Sequence, residues 1–166
     1  CNYPYQVMDF DIDILESGDC LLYRPNSIFG WIIALKSWNI VSHVEIYIGK
    51  GKSAASRNGV GVNEYNLRTD KLGYILRPNQ SFDIEKSLKW FNDEAKGQKY
   101  DWKGILIFAL AVRAGNNCKQ FCSEFASRFY KRGGLMCFSK DYNSDRVAPA
   151  NFLMSPVFNK IWVDKE

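Results

Sequence analysis

The 166-residue chain has one histidine, His43, and five cysteines: Cys1, Cys20, Cys118, Cys122 and Cys137. A thiol attacks a carbonyl as its thiolate, so a working cysteine needs an imidazole, a helix N-terminus, or both close by. The pattern around Cys122 sets it in the opening turns of a helix: Asn117 can cap, Phe121, Phe125 and Phe129 repeat every fourth residue, and Gly133-Gly134 supplies a left-handed exit. There the helix dipole favours the thiolate, and N-terminal amides, that of Ser123 included, can face a developing oxyanion. His43 is the only ordinary general base in the chain. Taken alone, each residue also fits a plainer role, a small buried hydrophobe for Cys122 and a satisfied strand histidine for His43.

The elements that must bring them together show in the hydrophobic period. In Val41 to Gly49, Val44, Ile46 and Ile48 alternate with His43, Glu45 and Tyr47, which predicts a strand with one core face and one face carrying chemistry. Glu45 shares the His43 face and is the first candidate to orient the imidazole, with Ser56 and Asn63 behind it. Side chains at i and i+2 project in parallel and need not touch, so an ordinary solvated strand glutamate is the alternative. Glu124 points ~200° around the helix from Cys122 and is expected to be a structural anchor. Tyr23 is expected to pack in the core rather than serve as an oxyanion donor, and Trp31, Trp38 and Trp102 at helical spacing are also expected in the core.

Residues 1–17 form an entry arm. Gly18-Asp19 launches a strand over Cys20 to Arg24 that stops at Pro25, and a helix follows from Asn26 to about Trp38-Asn39. After the His43 strand come strands around Ser53 to Ser56, Val60 to Tyr65 and Tyr74 to Arg77, spaced as in an antiparallel sheet or partial barrel. Beyond Pro78 the period turns helical: Ser81 or Asp83 caps, Ile84, Leu88, Phe91 and Ala95 make one face, and Gly97 ends it. A second helix, Trp102 to Val112, is apolar nearly all round, and the Cys122 helix is the third. In the tail, Val147-Ala148-Pro149-Ala150 reads as a helical turn and Phe158 to Val163 as an edge strand. Nothing divides the chain, so 1–166 is expected to be a single domain.

Composition excludes several classes. Hydrophobic content of 46% with 15% aromatics belongs to a packed globular protein, and a net charge of +4 with one basic doublet, Lys131-Arg132, gives no nucleic-acid footprint. The longest apolar run, Ile105 to Val112, falls well short of the ~20 residues of a spanning helix, so no transmembrane segment is expected. The cysteines lack C-x-x-C spacing, so neither a disulfide framework nor a metal is expected, and no cofactor is indicated. The opening Cys1 is taken as a trimmed start, with a lipoprotein processing site as the alternative that would place the protein at the bacterial envelope.

Five segments occur in one order: Gly18-Asp19 opening a strand, Ser42-His43-Val44-Glu45-Ile46-Tyr47-Ile48-Gly49, Tyr100-Asp101-Trp102 with Gly104, Phe121-Cys122-Ser123-Glu124-Phe125, and Val147-Ala148-Pro149-Ala150. Together they resemble the circularly permuted NlpC-type papain-like cysteine hydrolases, the YiiX/YaeF-like group, and particularly its phage-associated members. The permutation is the inverted order, with the His strand preceding the Cys helix. The resemblance implies an α+β fold in which a small antiparallel β-barrel or sheet packs against helices. It also implies a cysteine peptidase or amidase in which Cys122 forms an acyl-enzyme and His43 moves the proton. The implied substrate is a peptidoglycan or other envelope peptide. A lipid acyl hydrolase or acyltransferase is the rival within the enzyme class, and a non-catalytic phage structural or envelope-binding module the rival outside it. Such families place a polar orienting residue on the strand after the histidine, near Ala54 to Ser56 here, where two of the three positions are alanine.

Overall fold

Alternating side chains and short turns build the sheet that carries His43. The structure is a computed structural model and describes residues 11–26, 40–57, 59–99, 122–139 and 147–164. A 3-10 turn at Ile12–Ile14 leads into β1 (Cys20–Tyr23); β2 (His43–Gly49), β3 (Lys52–Arg57), β4 (Gly61–Asn66), β5 (Leu72–Pro78) and β6 (Phe158–Val163) complete the set. They form one six-stranded sheet in the order β4-β3-β2-β1-β5-β6, antiparallel throughout. The expected strands are all present to within two residues. The outer edge of β4 is clasped by the chain after the first helix, Val62 N–H donating to Gln98 O (2.9 Å) and Gly97 N–H to Val62 O (2.8 Å).

Helix α1 (Ile84–Trp90) starts where Asp83 Oδ1 accepts from Lys86 N–H (2.9 Å), so Asp83 rather than Ser81 is the cap. Its last turn widens into a π-turn, Phe91–Ala95, in which Lys96 N–H reaches Phe91 O (2.8 Å). Helix α2 (Cys122–Arg132) exits through Gly134 at φ +90°. The two helices are tied by Ser87 Oγ donating to Phe129 O (2.7 Å) and Asp83 N–H donating to Gly133 O (2.8 Å). The predicted helices from Asn26 and from Trp102 lie outside the described residues, as do Cys1, Cys118, Asn117, Phe121 and the three tryptophans Trp31, Trp38 and Trp102.

One face of the sheet, with Cys20, Leu22, Val44, Ile46, Ala54, Val62 and Leu76, packs on Phe91, Phe125, Phe129 and Tyr130 of the helices. Sequence alternation assigns only this face of β2 to the core, and the structure buries both. Leu15, Leu21, Leu72 and Ile75 join Tyr23 and Tyr47 in a second cluster on the His43 side. The chemistry-bearing face is therefore largely shielded from water rather than solvated.

Gly61 sits at φ +98°, and a Cβ there would come 2.2 Å from Gln98 O, against the β4 clasp. Gly61→Ala should cost about 2 kcal/mol or more through strain and loss of that pairing. Urea denaturation measures it, and a change under about 0.5 kcal/mol, the size of an ordinary surface substitution, would show the clasp to be dispensable.

Candidate functional site

His43 opens β2 and pairs with Tyr23 of β1, whose ring lies beside the imidazole at 6.0 Å between centroids. Cys122 is the first described residue of α2 and is buried, at 6% exposure. The two side chains are hydrogen-bonded to each other. The pairing of β2 with β3 ends at Ile46↔Ala54 and does not continue to Val44, whose backbone N–H is directed at the Cys122 sulfur instead, as is that of Ser123. The end of a strand ladder and the helix α2 thus bring two amides and an imidazole to one thiol.

Burial alone would push the Cys122 thiol up, but the charge and hydrogen bond of His43 and the two amides outweigh it, and its pKa falls below the ordinary thiol value. Burial pulls His43 down, while the Cys122 charge and hydrogen bond and then Glu45 push it up to about 9. Both shifts run in the direction of a thiolate–imidazolium pair. Cys20 and Cys137, both buried, move the opposite way, chiefly through desolvation, so among the described cysteines only Cys122 is lowered.

Glu45 is not the solvated strand glutamate of the alternative; it is fully buried. Its Oε1 lies 3.0 Å from His43 Nε2, so the i and i+2 side chains do meet. That contact leaves Nδ1 as the ring nitrogen for the thiol. Oε1 also accepts from Arg57 Nε (2.8 Å) and an Arg68 Nη (3.3 Å), and Oε2 from Ser53 Oγ (2.6 Å) and an Arg57 Nη (3.0 Å). Burial pushes the Glu45 carboxyl up, but His43, Arg57 and Ser53 together hold it well below the usual carboxylate range. Arg57 lies over the Tyr65 ring (4.1 Å) and Arg68 over Tyr23 (5.0 Å), so the guanidinium groups are held on their faces as well.

The structure thus brings Cys122, His43 and Glu45 together and places the remaining candidates elsewhere. Ser56 is buried, but strand alternation turns it to the face opposite Ser53 and Arg57. Asn63 Oδ1 accepts from the neighbouring Glu64 N–H (2.9 Å). Tyr23 is buried as expected, and its hydroxyl donates to Arg68 O (3.0 Å). Glu124 is buried and ion-paired with Arg128 one turn along α2.

The other residues of the sequence signature act as ties around the site. Ser123 Oγ donates to Val147 O (2.5 Å), fixing the start of α2 against the 3-10 turn Pro149–Met154. Tyr130 Oη donates to Gly18 O (2.9 Å), and Asp19 takes a two-pronged grip from Arg77 (2.9 and 2.8 Å).

Ser53, Arg57 and Arg68 escape the sequence reasoning. A signal existed for the first two: a hairpin through Gly49-Lys50-Gly51 pairs Tyr47 with Ser53, and period two then sets Ser53, Ala55 and Arg57 on the Glu45 face. Continuing that register sets Ala55 beside Glu45, so the alanine where an orienting group is expected leaves room for a carboxylate from the His strand itself. Arg68, from the turn after β4, has no such signal. Among the described residues no cluster of His, Cys, Asp or Glu could hold a metal ion, and no helix is long and apolar enough to cross a membrane.

Removing the carboxylate strands four partners at once. Glu45→Ala should cost about 3–5 kcal/mol at pH 7, as when one member of a buried ion pair is deleted. A urea-denaturation loss under about 1 kcal/mol would rule out this central role. Because Glu45 titrates lower folded than unfolded, its contribution is present above the unfolded value of about 4.3 and is lost as pH falls through the folded value. The stability gap between wild type and Glu45→Gln should therefore narrow on acidification.

Compared with known proteins, the chain matches no family model and no curated protein.

Proposed function

We propose that the chain is a thiol hydrolase that cleaves an amide bond through a Cys122 acyl-enzyme, in a permuted papain-like arrangement. The observation that carries this is the line Cys122–His43–Glu45: a lowered thiol, an imidazole hydrogen-bonded to it, and a fully buried carboxylate 3.0 Å from the far ring nitrogen. A nucleophile, its base and the base's orienting group in hydrogen-bond sequence is the arrangement that covalent catalysis needs. The sheet-then-helix order, with β2 in contact with α2, agrees with the permuted fold.

In the reaction the Cys122 thiolate adds to the carbonyl carbon, and the electron pair moves onto oxygen. The Val44 and Ser123 amides, turned toward the sulfur, stabilise the thiolate before it attacks. As the intermediate collapses, the C–N bond breaks and the His43 imidazolium gives its proton to the departing amine, leaving a thioester. His43, now neutral, takes a proton from water as the water attacks. The carboxylic product leaves and the thiolate–imidazolium pair is restored. Glu45 keeps the imidazole turned toward the sulfur throughout.

An envelope peptide, such as a peptidoglycan stem, is the proposed substrate, by the resemblance stated above. A lipid acyl hydrolase would use the same atoms. The idle-module alternative draws on the alanines at Ala54-Ala55, and the contact of Glu45 with His43 supplies the orienting group whose absence it requires.

Iodoacetamide alkylation of Cys122, followed by peptide mass spectrometry across pH, tests the pair. Wild type should react with an apparent pKa well below the ~8.5 of a free thiol, and His43→Ala should lose that low-pH reactivity. An inert Cys122, or equal reactivity without His43, would leave a binding or structural module. Hydrolysis of amide substrates should vanish in Cys122→Ala. Because the imidazolium is present only below the raised His43 value, hydrolysis should decline as pH rises through about 9. Turnover of stem peptides but not of lipid esters would assign the substrate class, and the reverse preference would favour the lipid hydrolase.

A further inference from the structure

Arg57 spends two of its nitrogens on Glu45, Nε on one oxygen at 2.8 Å and Nη on the other at 3.0 Å. A two-pronged grip fixes the plane of a carboxylate, which a single contact does not. The plane matters because Oε1, the oxygen facing His43, is shared with Arg57 Nε, so rotating the carboxylate would carry it away from the imidazole. The guanidinium is itself held over Tyr65 from β4. Ser53 and Arg68 each reach Glu45 through one contact, and neither alone defines its plane.

We propose that Arg57 is a positioning residue, whose fork holds the Glu45 carboxylate in the one orientation that keeps the His43 ring aimed at Cys122. The proposal rests on the Cys122–His43 pair described above and extends it one residue outward. Charge and geometry make different forecasts for a lysine at this position. If Arg57 acted only as a cation, Arg57→Lys would keep the charge and leave the thiol as in wild type. If it acts as a fork, removing it lets Glu45 turn, the imidazolium loses its partner, and the thiol becomes harder to ionise.

The other groups facing this cluster stay constant in the comparison: Arg68 and Asp70 around Tyr23, Tyr23 itself on β1, Tyr65 on β4, and Cys20 on β1 near Cys122. The decisive variant is Arg57→Lys, which keeps the cation and abolishes the fork, with Arg57→Ala beside it. Cys122 alkylation is followed against pH, and thermal melting checks that each variant is folded at the assay temperature. Both variants should raise the apparent thiol pKa by about one unit and slow alkylation at pH 6 about tenfold. If Arg57→Ala does not fold, Arg57→Lys alone decides. A lysine variant that superimposes on wild type, or an alanine variant whose thiol ionises more readily, would overturn the proposal while leaving the Cys122–His43 pair standing. A wild-type thiol with an ordinary pKa would instead remove the pair itself.

Discussion

The structure turns on one buried carboxylate. Taking an ion such as Glu45 out of water costs several kcal/mol even after the protein relaxes, and the loss is offset only when its lone pairs are well filled. Five hydrogen bonds do so, from His43 on its own strand, Ser53 and Arg57 on β3, and Arg68 beyond β4. Three successive segments of the sheet thus share one acceptor. That constraint fixes how β2, β3 and the turn after β4 lie against one another, and it also fixes where the imidazole points. Stability and site geometry share an origin here, so a change that loosens one loosens the other.

The helix that carries the thiol is set by independent ties. Tyr130 reaches back to Gly18 at the mouth of β1, Ser123 clips the start of α2 to Val147, and Phe125 and Phe129 fill the space between helix and sheet. Two rigid bodies, a polar-pinned sheet and an apolar-packed helix, therefore meet at Cys122. Sub-ångström placement of a nucleophile against its base requires both partners to be held in this way, because each error adds to the distance between sulfur and ring.

Much of this was legible in the sequence. Alternation in Val44, Ile46 and Ile48 located β2, and the phenylalanines at every fourth residue located α2. Asp83 and Gly134 marked a helix start and a helix exit for reasons of capping and left-handed backbone that need no tertiary information. Less legible was whatever depends on a partner distant in sequence. Polar strand residues look solvated until Leu15, Leu72 and Ile75 are known to pack on that face, so the burial of Glu45 did not show and Ala55 looked like a missing group. The π-turn at Phe91–Ala95 has no local cue, since a helix widens to seat Phe91 and Ala95 only once the core they face exists.

The surplus of cations around Glu45 bears on what kind of help the carboxylate gives. Coulomb energy falls as the inverse of distance, and two arginines bonded to the same carboxylate offset part of its field at the imidazole. The carboxylate raises His43 through its hydrogen bond and its charge, and the hydrogen bond to Nε2 at 3.0 Å is the directional part of that help. The arginines thus add a fixed orientation to the charge that Glu45 supplies. The thiolate then owes its stability to the near contacts, the imidazolium and the two backbone amides, rather than to the charge behind the histidine. With His43 pushed up to about 9, the imidazole holds its proton at neutral pH, and in the proposed reaction that proton passes to the departing amine.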